Sequence, residues 1–272
     1  MHCVLSQTIM AFVNLYKPPT PKQYTEDELY GPEPYDVNFV FPLPPEGSLE
    51  TERVKLTPFV PRLHAKQYWE NGGNDPSLFR YYPFTLGDTL DGFLAFFETR
   101  IRSDPANVVF VIIDKTRPDL AHPDLGGSFA GVIGLFSSSE KRLTTEIGFV
   151  LIFHAFQRTH VASNALGALL RYCLESPAAS PPGLGLRRVQ WCAHSRNLAS
   201  ARLAERMGFK REGIMRWHLV LSEHLARDGN MPRKTDRWPE KPGRDTVLLS
   251  LCWDDWEGGA KEVVEKEINR TK

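Results

Sequence analysis

The chain of 272 residues is 42% hydrophobic and 24% charged, the composition of a globular protein with a sizeable core. Lysine plus arginine and aspartate plus glutamate each number 33, so no global charge favours binding to nucleic acid or to an anionic membrane. The four cysteines form no CxxC pair, residues 1–16 contain no basic leader region, and no run of about 18 apolar residues occurs. We therefore expect a soluble, cytoplasmic protein with free thiols and with no metal, nucleic acid or membrane as a partner.

Residues 1–48 differ from the rest of the chain because they hold eight of its 21 prolines. Apart from a short stretch from Thr25 to Tyr30, they show no helical period. This composition predicts either an extended arm packed on a domain or partial disorder. We expect one domain over residues 49–257 and a charged helical tail over residues 258–272.

Within this domain the hydrophobic pattern predicts a mixture of helices and strands. The opening strand is expected over 49–56, where apolar and charged residues alternate. Thr85 with Asp88 is suited to cap an amphipathic helix over 86–101. The mixture indicates an α+β or mixed-sheet α/β domain. Further strands are predicted at 108–113, 129–136, 145–153, 188–192, 209–220 and 245–253, and further helices at 62–70 and 160–175.

The segment 191–216 is the most specific part of the sequence. Asn197 is suited to cap a short helix, because its side-chain oxygen can accept from a first-turn amide, and Gly208 is suited to end that helix in a left-handed conformation. The spacing Asn197-x-x-Ser200 before Gly208-Phe209 resembles the last motif of the GNAT acyl-CoA N-acyltransferases, closest to the RimJ/RimL-type branch. The segments that match the same pattern in order are 49–56, 129–135 and 146–149.

This resemblance implies the GNAT fold, an α/β (α+β) architecture with a twisted, mixed and mostly antiparallel sheet of about seven strands and helices on both faces. The sheet is expected to splay between strands 4 and 5, where acyl-CoA enters. A strand amide of the backbone around Phe149 to Ile152 is expected to polarise the thioester carbonyl. The Phe-Gln-Arg-Thr-His sequence at 156–160 is similar to a fungal subgroup of the superfamily.

The loop after the fourth predicted strand departs from the family pattern. The family usually has glycines there, whose bare amides cradle the CoA pyrophosphate at a helix N-terminus. Arg158 and His160 stand at those positions, so a positive φ is less accessible, but a guanidinium that can fork onto a phosphate is gained. We expect CoA binding to be retained; the alternatives are a changed cofactor pose or a degenerate site, and for His160 packing on the sheet. The predicted cofactor contacts are Phe149, Val150, Leu151, Gln157, Arg158, Thr159, His160, Val161, Ala162, Asn197 and Ser200.

The resemblance also implies candidates for proton transfer. Glu146 lies where the family often has an acidic residue near the amine, so it is either a general base or a solvent-facing glutamate at a strand end. Ser200 is a candidate proton donor to the leaving thiolate, because Ala204 stands where many members have a tyrosine; otherwise Ser200 only supports the first helical turn. Asn197 is expected to cap the helix, with a contact to the pantetheine arm as a second role. His194 is interpreted as structural, with a place in the active cleft as its alternative.

The aromatic residues Phe79, Tyr81, Tyr82 and Phe84 fall where such enzymes often line the acceptor pocket, and core packing is their alternative role. No cysteine occupies a motif position, so no covalent enzyme intermediate is expected. The resemblance implies an N-acetyltransferase, monomeric or homodimeric, that moves acetyl from acetyl-CoA to a primary amine of a small molecule or a protein N-terminus by direct attack in a ternary complex. The alternative is a catalytically degenerate GNAT-fold protein that binds acyl-CoA or acts as a scaffold.

Overall fold

The computed structural model of the protein describes residues 12–20, 22–45 and 47–270. Cys3 and the other residues of the predicted arm before residue 12 lie outside the described residues. The strands are β1 (Val54–Pro58), β2 (Val108–Asp114), β3 (Ser128–Ser139), β4 (Thr144–Ile152), β5 (Arg188–His194), β6 (Lys210–Val220) and β7 (Gly243–Cys252). The helices are α1 (Glu26–Tyr30), α2 (Pro61–Tyr68), α3 (Leu90–Phe97), α4 (Val161–Leu174), α5 (Leu198–Arg206), α6 (Trp253–Asp255) and α7 (Lys261–Ile268).

The seven strands form one sheet in the order β1-β2-β3-β4-β5-β7-β6. Every neighbouring pair is antiparallel except β4 with β5, which is parallel. The prediction of a mixed, mostly antiparallel sheet of seven strands is therefore confirmed. No helix among the described residues is long and apolar enough to cross a bilayer.

Helices cover both faces of this sheet, as β2 shows most clearly, because each of its residues is buried. Side chains alternate between the two faces of a strand, so a strand buried throughout must be covered on both sides. Phe110 and Ile112 pack in one core with α4 and α7, while Val109 and Val111 pack in a second core with α2 and α3. The sheet is thus the middle layer of three.

The sheet opens between β4 and β5. Their parallel pairing covers only Thr144–Ile147 against Arg188–Trp191. Beyond that point β4 continues to Ile152 and β5 to His194, but no further pair joins them. The predicted splay between strands 4 and 5 is confirmed, and it leaves a wedge-shaped gap through the middle of the domain.

A β-bulge in β4 lies beside this gap. Val132 of β3 pairs with Leu151 of β4, and Gly134 pairs with Gly148. Two β4 residues, Phe149 and Val150, therefore lie opposite the single β3 residue Ile133. One of the two, Phe149, has a positive φ of 51°. A bulge leaves an extra residue unpaired and re-aims the strand. Here it coincides with the point where β4 leaves β5.

Two predicted boundaries are wrong for local reasons. The helix predicted at 86–101 begins at Leu90, because the Thr89 side chain, not the Thr85–Asp88 pair, caps it by accepting from the amide of Gly92 (3.1 Å). The strand predicted at 49–56 begins at Val54, because its amide donates to Thr51 Oγ1 (3.0 Å) and closes a turn before the strand.

The later part of the predicted arm and the last helix pack on the domain. In the predicted arm, the side-chain amide of Asn38 donates to the carbonyl of Arg102 (2.8 Å), and the amide of Val40 donates to that of Pro105 (2.8 Å). The helical stretch predicted from Thr25 to Tyr30 is confirmed as α1. At the other end, α7 is held to α4 by the ion pair of Arg171 with Glu265. The division into arm, domain and tail remains a prediction.

Candidate active site

A cavity of about 260 Å³ lies where β4 and β5 part. One wall comes from the two strands at the gap, a second from the start of α5, and a third from the ends of β6 and β7. The segment before α3 contributes aromatic side chains. The polar and aromatic residues around it are Tyr81, Tyr82, Phe84, Phe136, Glu146, Phe149, Trp191, Cys192, His194, Asn197, Ser200, His218, Arg244 and Thr246.

Glu146 is the third residue of β4 and forms part of the cavity wall. It pairs in register with Gln190 of β5, whose side-chain amide donates to Glu146 Oε2 (3.1 Å). Burial raises the pKa of the Glu146 carboxyl, although the Cys192 thiol, the Gln190 amide and the charge of Arg244 partly offset the rise. Glu146 is half-buried, and its raised pKa makes the carboxylate a stronger base than an ordinary glutamate.

Cys192 follows Gln190 by two residues on β5, so both side chains point to the face of the sheet that carries Glu146. Burial and the neighbouring Glu146 charge raise the pKa of the Cys192 thiol to about 12. The thiolate is the nucleophilic form of cysteine, and this environment keeps the thiol protonated at neutral pH. Cys192 is thus in the cavity but unsuited to attack a thioester.

Ser200 sits in the first turn of α5, held there by the local sequence. The Asn197 side-chain oxygen accepts from the amide of Ser200 (3.2 Å), which confirms Asn197 as the helix cap. The indole Nε1 of Trp191 donates to Ser200 Oγ (3.0 Å). Because the hydroxyl oxygen accepts this bond, its own hydrogen remains available to donate into the cavity.

His194 and Arg244 lie side by side at the β6–β7 end of the cavity. His194 pairs with Thr246 of β7, and Arg244 is two residues from Thr246 on the same face of that strand. Both side chains are almost fully buried. His194, interpreted from sequence as structural, lines the cavity, and burial lowers its pKa.

The predicted acceptor aromatics divide into three cavity residues and one packing residue. Tyr81, Tyr82 and Phe84 line the cavity. Phe79 does not, but its ring contacts that of Tyr82 with centroids 5.3 Å apart. A bidentate ion pair fixes this aromatic segment, because Arg80 donates to the Asp228 carboxylate at 2.7 and 3.0 Å.

The predicted phosphate loop, residues 157–161, does not line the cavity, and several of its side chains form hydrogen bonds with the protein itself. The Gln157 amide donates to the carbonyl of Ile152 (3.0 Å), and the Thr159 hydroxyl donates to that of Phe156 (2.6 Å). His160 Nε2 donates to Oδ1 of the fully buried Asp114 (3.2 Å), as its packing alternative anticipated. The remaining predicted cofactor contacts are distributed as follows: Phe149 and Val150 line the cavity, Leu151 and Val161 are core residues, and Ala162 is half-buried in the first turn of α4.

The comparison with known proteins decides the family. A model of the acetyltransferase (GNAT) domain matches residues 53–210. The chain belongs to the GNAT acetyltransferase family. It is accordingly an acyltransferase, and the matched region runs from β1 to the first residue of β6.

Solved structures of GNAT proteins share the fold. A GCN5-related N-acetyltransferase from Brucella melitensis is 22% identical, with a TM-score of 0.60 over 80% of this chain and 84% of that one. RimJ of Mycobacterium smegmatis in complex with CoA-disulfide is 16% identical, with a TM-score of 0.56 over 78% of this chain and 88% of that one. The spermidine N-acetyltransferase of Vibrio cholerae, in complex with CoA and spermine, is 14% identical, with a TM-score of 0.55 over 76% of this chain and 99% of that one. Among curated proteins, none matches this chain.

Features at the start of α4 fit the phosphates of the CoA that the GNAT family implies. Arg158 adopts a left-handed φ of 59°, the conformation that the family's glycine would favour. The N-cap residue of α4, His160, provides no side-chain hydrogen bond to the helix. The Thr159 hydroxyl oxygen does accept from the amide of Val161 (3.3 Å). The other first-turn amides of this helix and its partial positive charge suit a phosphate.

Sequence reasoning missed Arg244, Cys192, His218 and Thr246, all of which line the cavity. Arg244 and Thr246 stand at alternate positions of a strand that was predicted to begin at Asp245. Because His194 pairs with Thr246, Thr246 and Arg244 lie on the same face of the sheet as the cavity residues of β5. The sequence could have predicted this only if the pairing of β5 with β7 had been known.

Proposed function

We propose that this chain is an N-acetyltransferase that moves acetyl from acetyl-CoA to a primary amine by direct attack in a ternary complex, in the manner of the RimJ/RimL-type branch. The observation that carries the proposal is the unpaired gap between β4 and β5, which opens onto a cavity holding Glu146 and Ser200. The acceptor amine belongs to a small molecule or to a protein N-terminus. The catalytic unit is residues 49–257.

Acetyl-CoA supplies the activated acyl group as a thioester, and the chain offers places for each part of it. The pantetheine arm lies in the gap, and the diphosphate meets Arg158 and the first-turn amides of α4. The bulged backbone from Phe149 to Leu151 supplies amides that polarise the acetyl carbonyl. The CoA-bound structures of M. smegmatis RimJ and V. cholerae spermidine N-acetyltransferase support a CoA site in this fold.

Glu146 is the residue that receives the proton of the amine. Its carboxyl is in the cavity wall, and its raised pKa places it closer to the pKa of an amine than an ordinary glutamate would be. A carboxylate acting directly or through one water removes a proton as the nitrogen bonds to the acetyl carbon. The protonated Glu146 then releases this proton to solvent before the next turnover.

Ser200 is the residue that donates to the departing sulfur. The Trp191 indole occupies one acceptor position of its oxygen, so the hydroxyl hydrogen points elsewhere. As the carbon–sulfur bond breaks, negative charge grows on sulfur, and a hydroxyl donor stabilises that charge. Glu146 thus takes the proton from nitrogen, and CoA leaves as a thiolate that accepts a hydrogen bond from the Ser200 hydroxyl. The thiolate takes its proton from solvent, so the serine keeps its own hydrogen.

Direct attack is favoured over an acyl-enzyme. The cysteine in the cavity, Cys192, is kept as a neutral thiol by its burial and by Glu146. An acyl-enzyme on Cys192 would require its thiolate. A ternary complex in which amine and thioester meet on the enzyme fits the residues present.

The test combines binding with turnover. Acetyl-CoA is titrated into the full chain by calorimetry, and CoA release is then followed with a thiol reagent in the presence of a panel of primary amines. We expect binding together with amine-dependent release. Binding without release above the rate of hydrolysis, for every amine, would instead identify a non-catalytic CoA-binding protein.

A further inference from the structure

Three buried polar atoms on side chains that line the cavity have no hydrogen-bond partner among the described residues. They are Nε of Arg244, Nε2 of His194 and the hydroxyl oxygen of Tyr82. Arg244 is 5% exposed and His194 is 4% exposed. A buried polar group without a partner costs free energy, and in a native protein such groups are usually satisfied by a ligand, an ion or water.

Hydrogen-bond chemistry makes all three groups donors. The His194 Nδ1 accepts from the amide of Arg196 (3.0 Å), so the hydrogen of the neutral ring is on Nε2. Burial lowers the pKa of His194 and thus favours this neutral form. A guanidinium only donates, and burial raises the pKa of the Tyr82 hydroxyl, which keeps its hydrogen.

The Tyr82 hydroxyl lies within electrostatic range of Tyr68 in the core, so it is not counted as a ligand contact. The main chain of Asp228 lies beside the His194 ring without a hydrogen bond of good geometry to Nε2. The donors of Arg244 and His194 therefore favour a further acceptor at their end of the cavity.

Charge makes the required acceptor an anion. Arg244 forms no salt bridge with any residue that the structure describes, although it is buried. The acidic group whose charge acts on it is Glu146, which lies elsewhere in the cavity wall and whose own pKa is raised by burial. A buried cation is stabilised by a paired anion with well-placed hydrogen bonds, and a carboxylate fits the fork of a guanidinium.

We propose that the acceptor is a small molecule carrying both an amine and a carboxylate, of the free amino acid class, with its carboxylate on Arg244 and His194 and its amine at Glu146. This inference rests on the proposed function, because the amine is taken to react at Glu146. The charge of Arg244 acts on Glu146 and on Cys192, so the guanidinium lies within electrostatic range of the reaction site. One small zwitterion therefore matches both ends of the cavity.

The same arrangement disfavours polycations. An acceptor such as spermidine would bring additional positive charge into a cavity that already holds the buried Arg244. Like charges in a site of low dielectric repel strongly. The aromatic side chains of Tyr81, Tyr82 and Phe84 instead suit an apolar or aromatic side chain of an amino acid.

The wild-type test compares acids with their amides. The full chain is saturated with CoA, and L-phenylalanine, L-phenylalaninamide, L-alanine, L-alaninamide and spermidine are titrated by calorimetry. Charge-assisted pairing predicts that at least one acid binds about tenfold to a hundredfold more tightly than its amide. Equal or weaker binding of both acids, or tighter binding of spermidine, overturns the proposal.

Variants assign the effect to the side chain. Arg244→Gln is expected to reduce the acid-to-amide ratio to about one, because the glutamine loses the charge that distinguishes the two ligands. Arg142→Gln removes the same charge from the exposed turn between β3 and β4 and is expected to keep the wild-type ratio. Should Arg244→Gln not fold by circular dichroism, Arg244→Lys, which keeps the charge but loses the fork, is expected to show an intermediate ratio. An unchanged ratio in the folded variants rejects Arg244 as the carboxylate site.

Turnover separates this inference from the proposed function. If amines are acetylated but each acid and its amide react with equal kcat/KM, the transferase assignment stands and the amino-carboxylate assignment falls. If acids bind selectively but no amine of the panel is acetylated, the ligand assignment stands and the transfer reaction falls.

Discussion

The cavity at the gap and the loop before α4 are built in opposite ways. In the cavity, buried donors of Arg244 and His194 have no partner among the described residues. In the loop, the side chains of Gln157, Thr159 and His160 are engaged by the protein's own carbonyls and by Asp114. Both regions were predicted to hold ligand-binding side chains.

The difference indicates where ligand specificity lies. Polar side chains that already satisfy protein groups fix the backbone of the loop, so Gln157, Thr159 and His160 serve its shape more than they serve a ligand. Unsatisfied buried donors favour whatever completes them, so the cavity selects its ligand through side chains. Substitutions in the cavity should therefore change chemistry and acceptor choice, while those in the loop should change CoA affinity or stability.

The largest effect is expected for Glu146→Gln. Loss of a general base typically lowers the rate by about 10²- to 10⁴-fold, and we expect such a loss in kcat/KM for any amine that the wild type accepts. The measurement is steady-state CoA release. A loss of less than about tenfold would leave Glu146 as a wall residue.

The pH dependence provides the control for this variant. The base must be ionised, so wild-type kcat/KM should fall as pH drops through the raised pKa of Glu146, and this limb should vanish in Glu146→Gln. The groups that set this pKa face it from β5, β6 and β7: Gln190, Cys192, His218 and Arg244. Because the folded-state pKa lies above the unfolded one, the folded chain binds more protons, and ionisation costs stability as pH rises through that window. The variant should therefore melt no lower than the wild type at neutral pH.

A smaller loss is expected for Ser200→Ala. Without the hydroxyl, kcat should fall about tenfold to a hundredfold, because the leaving sulfur loses its donor, whereas the dissociation constant for acetyl-CoA should stay nearly unchanged. Single-turnover kinetics and calorimetry separate the two quantities. Asn197→Ala is the control for a purely structural effect on the start of α5. Loss of this cap should lower the free energy of unfolding by about 1 kcal/mol. Unchanged turnover in Ser200→Ala would reduce the serine to a helix residue.

The overall fold was largely predictable from the sequence because periodicity and the motif at 191–216 agree. The seven strands, the helices flanking them and the gap were all anticipated. The errors arose where local side chains overrode the periodicity. The Thr51 side chain closes a turn before β1, and the Thr89 side chain caps α3. Several polar residues near each boundary could form such a bond, and the sequence does not show which one does.

The site was predictable only for residues close to the motif. Glu146, Asn197 and Ser200 lie next to strand ends that the resemblance identified, and they meet in one cavity. Arg244 reaches the same cavity from a strand that begins about fifty residues after β5 ends. The Pro-containing segment 221–242 lies between β6 and this strand, and the sequence does not define its path. Long-range pairing of β5 with β7 sets that contact, and it has no local signal.

The smallest effect separates Arg158 from His160 in the loop. Arg158→Ala should weaken CoA binding about tenfold, because a charge-assisted phosphate contact is lost, with Arg142→Ala as the charge-matched control that should not. His160→Ala should instead lower the free energy of unfolding by about 1–2 kcal/mol, since the buried Asp114 loses a donor, and should leave CoA affinity nearly unchanged. Calorimetric titration of CoA and urea unfolding of the three variants measure both quantities. A reversed pattern, with CoA affinity falling in His160→Ala alone, would mean that the imidazole leaves Asp114 to contact the diphosphate, and the contrast between a self-satisfied loop and an unsatisfied cavity would no longer hold.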